Sequence, residues 1–315
     1  MSKPKLQIRG PPPVVVGLGE VLWDLLPTGR QMGGAPANFV YHAASLGARA
    51  VLVSRVGRDA DGRALLAQLG RLGLSRRYVT TDPTYPTGVV EVALNRHGKP
   101  RYTIRENTAW DHIPFSPSLA SLAERTNVVC FGTLAQRSRE SRASLQTFLR
   151  RTRPHCLRIF DLNFRQSYFA EPLVRRLLGL STVLKLNDEE LPMLGRLLGM
   201  RGPIRTLPER LLSTFNLQLV ALTCGSQGSL LFSASECHKE PAHPVAVKDS
   251  VGAGDAFCAT LALGLLRGWP LARINWSANR LAAFVCSRIG ATPFLPLPLI
   301  RSLLADSPAD RGNRP

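Results

Sequence analysis

Short apolar runs rich in β-branched residues alternate along the chain with longer stretches whose apolar residues recur every three or four positions. Runs at 13–18, 50–55, 127–131, 157–161, 182–186 and 217–223 have the length of buried strands. Helical patterns lie between them, near 37–46, 60–73, 138–151, 171–179, 188–199 and 206–215. Strands alternating with helices of this length predict an α/β domain around a mostly parallel central sheet, with helices on both faces. One segment departs from that rhythm. Residues 78–105 read as alternating strands around a His97-Gly98 turn, which predicts an antiparallel hairpin. A small β-lid formed mainly by 78–110 is therefore expected within one domain spanning 13–304. The ends, 1–12 and 305–315, are polar and Pro-rich and are expected to be loose tails.

Composition narrows the class. The chain has 315 residues, 44% of them hydrophobic, enough to bury a core without disulfides or structural metal. No apolar run approaches the ~20 residues of a membrane span, and the start has no apolar stretch of a secretory signal. The six cysteines include no C-x-x-C pair. Cys130, Cys224, Cys258 and Cys286 sit in apolar surroundings, where buried thiols are expected, so a reducing, cytoplasmic compartment fits. The net charge of +18 invites a nucleic-acid reading. The excess is almost all arginine, 34 Arg against 6 Lys, and it is scattered rather than striped. Surface composition explains it, and no specific nucleic-acid partner is expected.

The strongest chemical signal is Asp249-Ser-Val-Gly-Ala-Gly-Asp-Ala-Phe257, which runs directly into an apolar helical pattern with Phe257, Leu261 and Leu265 at i, i+4 and i+8. Two glycines at a helix start near Ala253 leave backbone N–H groups bare at the positive end of the dipole, a cradle for an anion. A carboxylate beside that cradle, Asp255, repels the anion it adjoins. Its presence is explained if it acts as a general base on an attacking hydroxyl. Helix capping alone is the competing account, but capping does not require the glycines.

This segment resembles the C-terminal signature of the ribokinase-like (PfkB) carbohydrate kinases. The N-terminal signature of that superfamily is matched by Gly33-Gly-Ala-Pro-Ala-Asn-Phe39, and the resemblance covers roughly 13–295. GEVLWD at 19–24, GGAPANF and ENTAWD at 106–111 are similar to the bacterial fructokinase branch. The resemblance implies a ribokinase-like three-layer fold with a small β-sheet lid. It also implies transfer of the ATP γ-phosphoryl group to a primary hydroxyl of a free hexose, fructose first.

Carried over residue by residue, the resemblance makes Asp255 the catalytic base and Gly252, Ala253 and Gly254 the anion hole. Asp24, Gly33, Gly34, Asn38 and Asp255 hold the sugar, and Asn163 and Arg165 lie near substrate and phosphates. Asn187, Thr223, Gly225, Gly228 and Asn279 bind ATP. Glu190 organises Mg2+ through water, although Asn187-x-x-Glu190 is equally a capping box. Asp249, the Val251 carbonyl and Gly290 are candidates for a monovalent cation such as K+. A homodimer through the lid is a further implication. Ribose, 2-keto-3-deoxygluconate, a nucleoside or a sugar phosphate stay open as acceptors, as does a non-catalytic binding role, against which the intact GAGD argues.

Overall fold

Along the parallel strands, successive residues go to opposite faces, and both faces are buried. The computed structural model describes residues 11–26, 29–94 and 100–305. Its strands are β1 (Val14–Leu18), β2 (Leu22–Leu26), β3 (Gly29–Gly33), β4 (Arg49–Gly57), β5 (Val79–Asp82), β6 (Gly88–Leu94), β7 (Pro100–Ile104), β8 (Val128–Phe131), β9 (Leu157–Asp161), β10 (Val183–Asn187), β11 (Leu219–Thr223), β12 (Ser229–Phe232) and β13 (Cys237–Glu240). The helices are α1 (Ala35–Ser45), α2 (Ala60–Arg71), α3 (Pro117–Arg125), α4 (Arg139–Arg151), α5 (Glu171–Leu180), α6 (Glu190–Leu197), α7 (Leu207–Phe215), α8 (Ala253–Leu266), α9 (Leu271–Cys286) and α10 (Leu297–Leu304).

Nine strands form the large sheet in the order β13-β12-β11-β10-β9-β8-β1-β4-β5, parallel from β11 to β5, with β12 and β13 added antiparallel at one edge. Val15 and Val128 face a core shared with α1, α2, α8 and α9, while Val16 and Val129 face a second core with α3 to α7. Burial on both faces explains why these strands read as unbroken apolar runs. This is the expected three-layer α/β fold. Helix α8 is apolar on every side, with Ala256 to Gly264 all buried. Such a helix is enclosed rather than half-exposed, and α1 and α9 pack against it.

The small sheet differs from the hairpin expected at 78–110. Its order is β3-β2-β6-β7, so half of it comes from residues 22–33, directly after β1. Strand β5, expected in the lid, instead pairs in parallel with β4 at the edge of the large sheet. The reason is register: β2 finds a parallel partner in β6, with Asp24 opposite Val90, and local alternation carries no sign of so distant a pairing. Strands β6 and β7 do pair antiparallel. The turn expected at His97-Gly98 lies outside the described residues, as do positions 1–10 and 306–315 of the expected tails.

Among the described residues no helix is long and apolar enough to cross a membrane. Cys130, Cys156 and Cys258 are buried, but Cys224 and Cys286, also expected inside, are only partly covered because they border a cleft and a strand end. Part of the arginine excess has packing work. Arg30 lies over Trp23, Arg137 over Trp110, Arg273 over Trp269 and Arg280 over Trp276, at 4.6, 4.0, 3.8 and 5.0 Å from the ring centres. Each such contact contributes on the order of 0.5–1 kcal/mol.

Candidate active site

A cleft of about 1410 Å³ opens at the carboxyl ends of the parallel strands and runs beneath the small sheet. Open α/β sheets place ligands at this edge. Most of the residues singled out from sequence line it: Asp24, Gly34, Asn38, Asn163, Arg165, Asn187, Thr223, Gly225, Gly228, Asp249, Asn279 and the run Val251 to Asp255. Gly33, Glu190 and Gly290 stand behind this lining.

At the centre, Gly252 caps α8 with φ 82°, a left-handed conformation, and a Cβ there would lie 2.6 Å from the Ala291 Cα. Only glycine fits both demands. The next residues, Ala253, Gly254 and Asp255, form the first turn, whose N–H groups have no partner within the helix. Asp255 Oδ2 accepts a 2.9 Å hydrogen bond from Asn38 Nδ2. Burial, reinforced by the like charge of Asp161, pushes the Asp255 carboxyl up to about 6, against the pull of Asn38, Lys185 and Arg165. That value suits a base that is ionised at neutral pH yet still takes up a proton.

On one side of Asp255 the cleft is acidic. Asp24 lies within β2, opposite Gln31 and Val90. Its Oδ2 is 2.1 Å from where a Gly33 Cβ would be, so Gly33 makes room for the carboxylate. Desolvation raises Asp24 to about 6, with Arg165 opposing. Glu20 is buried beside it and raised to about 7, chiefly by desolvation, again with Arg165 opposing. Asn38 Oδ1 is buried with no hydrogen-bond partner among the described residues, leaving an acceptor at the cleft wall. Arg165 and Asn163 enter from the loop after β9, where Asn163 has φ 40°.

On the other side lie Thr223, Gly225 and Gly228 from the β11–β12 turn, with Asn187 at the end of β10. Asn279 borders this side, but its Nδ2 donates to Ser229 Oγ at 2.6 Å and to the Asn275 carbonyl at 2.9 Å. No local feature of the chain signals that internal commitment. Asn187 and Glu190 do form the reciprocal cap: Asn187 Oδ1 accepts from the Glu190 N–H at 2.8 Å, and Glu190 Oε2 accepts from the Asn187 N–H at 2.9 Å. Glu190 Oε1 also accepts from the Phe164 N–H at 2.9 Å, fixing the loop that bears Arg165. Both carboxylate oxygens are thus engaged, and among the described residues no cluster of three His, Cys, Asp or Glu could hold a metal directly. Asp249 likewise accepts from the Val251 N–H at 3.0 Å and the Gly290 N–H at 2.9 Å, tying two loops together.

Sequence reading passed over Lys185 and Glu20. Lys185 is a buried cation within β10, its Nζ 3.0 Å from Asp161 Oδ1 and 2.9 Å from where a Gly254 Cβ would be. Burial alone would lower it, but Asp161 and Glu190 hold the ammonium above its ordinary value and charged. A lysine inside the apolar run TVLKLN was the available signal, since an unpaired charge does not survive in a parallel strand.

A buried cation and the first-turn N–H groups of α8, of which that of Ala253 also donates to the Ser250 carbonyl at 3.3 Å, beside a carboxylate of tuned basicity can stabilise charge on a phosphoryl group while a hydroxyl is deprotonated. Fold and cleft together define a phosphotransferase with an alcohol acceptor. The chain belongs to the pfkB family of carbohydrate kinases, which it matches over residues 27–298. A fructokinase of Klebsiella pneumoniae is 29% identical over 260 residues, covering 79% of this chain and 83% of that protein. An uncharacterized sugar kinase of Pyrococcus horikoshii is 25% identical over 297 residues, covering 88% of this chain and 91% of that protein. The fold also matches the crystal structure of a fructokinase with bound ATP from Xylella fastidiosa, with a TM-score of 0.79 at 22% identity over 95% of this chain and 99% of that one.

Proposed function

We propose that this carbohydrate kinase transfers the γ-phosphoryl group of ATP to a primary hydroxyl of a free hexose, with fructose giving fructose 6-phosphate. The observation that carries this reading is the Asp255 carboxylate, held by Asn38 at 2.9 Å in the first turn of a glycine-capped helix. Asp255 takes the hydroxyl proton as the new O–P bond forms and the bond to ADP breaks. The N–H groups of Gly252, Ala253 and Gly254 receive the equatorial phosphoryl oxygens, and Lys185 supplies a fixed positive charge nearby. The nucleotide lies along Asn187, Thr223, Gly225 and Gly228, with Asn279 behind them. Mg2+ bound with ATP would offset the charge of its phosphates, and Glu190, its oxygens already accepting N–H groups, would hold it through water.

The acceptor half supports a neutral polyol. Glu20, Asp24 and Asp255 there face Arg165, and Asp255 also feels Lys185, itself paired with Asp161. Carboxylates accept hydrogen bonds from sugar hydroxyls, whereas a phosphorylated or acidic sugar would meet net repulsion. Asp24, Asn38 and the Gly33-Gly34 turn orient the sugar. A K+ ion near Asp249, the Val251 carbonyl and Gly290 belongs to the same reading. ATP consumption over a panel of fructose, ribose, 2-keto-3-deoxygluconate, nucleosides and sugar phosphates, with and without K+, tests it. Fructose should give the highest kcat/KM; a higher value for a charged acceptor would overturn the substrate assignment.

A further inference from the structure

Among the described residues, three of the four non-glycine residues with positive φ lie in two loops that meet at the proposed acceptor end: Asn107 at 53°, and Asn163 and Gln166 at 40° and 49°. Strained backbone of this kind persists only where neighbouring structure holds it. One arginine links the two loops, beside the hold that Glu190 has on Phe164. Arg137 Nε and Nη2 make a two-point ion pair with Asp111, at 2.8 Å to Oδ1 and 2.7 Å to Oδ2. The pair is buried, with side-chain exposures of 7% and 4%. Nη2 also donates to the Arg105 carbonyl at 2.6 Å, directly after β7. The guanidinium lies between two rings, Trp110 at 4.0 Å and Tyr168 at 4.9 Å. Tyr168 belongs to the loop of Asn163 and Arg165, and its hydroxyl donates back to Glu106 Oε1 at 2.8 Å.

Nothing in the phosphoryl-transfer scheme calls on Arg137, and it does not line the cleft. It joins two elements that do. Ile104 at the end of β7 lines the acceptor half from the small sheet, and Asn163 and Arg165 line it from the body. We propose that Arg137 is a positioning residue of the acceptor subsite, acting through Tyr168 and Glu106 to couple the last strand of the small sheet to the loop bearing Asn163 and Arg165. An arginine suits this role and a lysine does not, because only the planar fork grips a carboxylate at two points while stacking between rings. The inference rests on the assignment of this half of the cleft to the acceptor.

Tyr168→Phe deletes one hydroxyl and keeps the stacked ring, so folding is not at issue. Loss of that hydrogen bond should raise the acceptor KM by ~3–10-fold, with the ATP KM within about twofold and the melting temperature unchanged. Glu106→Ala should do the same, and the double variant should be no worse than either single change, because both remove one contact. Arg137→Lys should raise the acceptor KM by about tenfold or more, the change expected when a charge-assisted bond is lost. Hydrogen exchange supplies a readout that needs no sugar. In Tyr168→Phe, amides of 162–169 should exchange faster while those of 249–256 do not. Unchanged exchange at 162–169 would overturn the coupling itself. Faster exchange with an unchanged acceptor KM would overturn the positioning role and place the fault in the acceptor assignment. Multiplying effects in the double variant would show two separate contacts and also sink the proposal.

Discussion

The two ends of the cleft are built on different principles. The end proposed to hold phosphate rests on one continuous stretch, Asp249 to Asp255, whose geometry follows from a helix start: Gly252 turns the chain with φ 82°, and the first N–H groups have no partner within the helix. The end proposed to hold the acceptor is assembled from Glu20, Asp24 and Asn38, from Val90 and Ile104, and from the loop of Asn163 and Arg165. Its geometry depends on strand register and on contacts such as Arg137–Asp111 between distant segments. A local device is hard to alter without losing the reaction. A composite one can change residue by residue, so the acceptor can differ among kinases that share the phosphate end.

Asp255→Asn is the harshest test of that division. It should lower kcat by at least ~10²-fold, while acceptor and ATP KM values stay within a few-fold, as steady-state kinetics would reveal. Near-normal turnover would remove Asp255 from the chemistry. Gly252→Ala should follow in severity, because the added Cβ meets the Ala291 backbone and φ 82° is strained for alanine. A stability loss of about 1–3 kcal/mol is expected, with kcat reduced and the acceptor KM little changed. Should Gly252→Ala instead act mainly on the acceptor KM, the two ends would not be separable.

Asp24→Ala probes the composite end. The acceptor KM should rise by roughly tenfold or more, as when a charged hydrogen-bond acceptor is removed, with kcat less affected. An effect confined to ATP affinity would assign Asp24 to the wrong end.

The same division explains what could be read in advance. The GAGD helix start was legible because a glycine pair, a carboxylate and a following apolar period all lie within a few residues. Six of the seven parallel strands were legible because burial on both faces leaves continuous apolar runs, as in β8 and β10; β5 was placed in the lid instead. The small sheet was half missed because 22–33 carries no strand signal of its own, and β2 finds its parallel partner only in the distant β6. Lys185 shows as a charge inside an apolar run, but its partner appears only once β9 brings Asp161 within 3.0 Å. Asn279 marks the opposite case, a polar residue of correct type and place whose amide is occupied by Ser229 and Asn275. Pairwise commitments of this kind have no local signature.

The mildest test concerns charge. Asp255 ionises at about 6 in the folded protein, above the ordinary 3.8, because burial and Asp161 disfavour its anion. Activity and stability should therefore move in opposite directions. The acid limb of kcat/KM should rise through about pH 6 as the base ionises. A raised carboxyl favours the fold while protonated, so that contribution is present below about pH 4 and lost as pH rises through about 6. Asp255→Asn carries no such charge. Relative to the parent chain it should gain roughly 1–3 kcal/mol at pH 8, and the gain should vanish near pH 4. Thermal unfolding of both proteins from pH 4 to 8 measures the difference. A gap that does not vary with pH would mean that Asp255 is not the strained carboxylate on which the phosphate end depends.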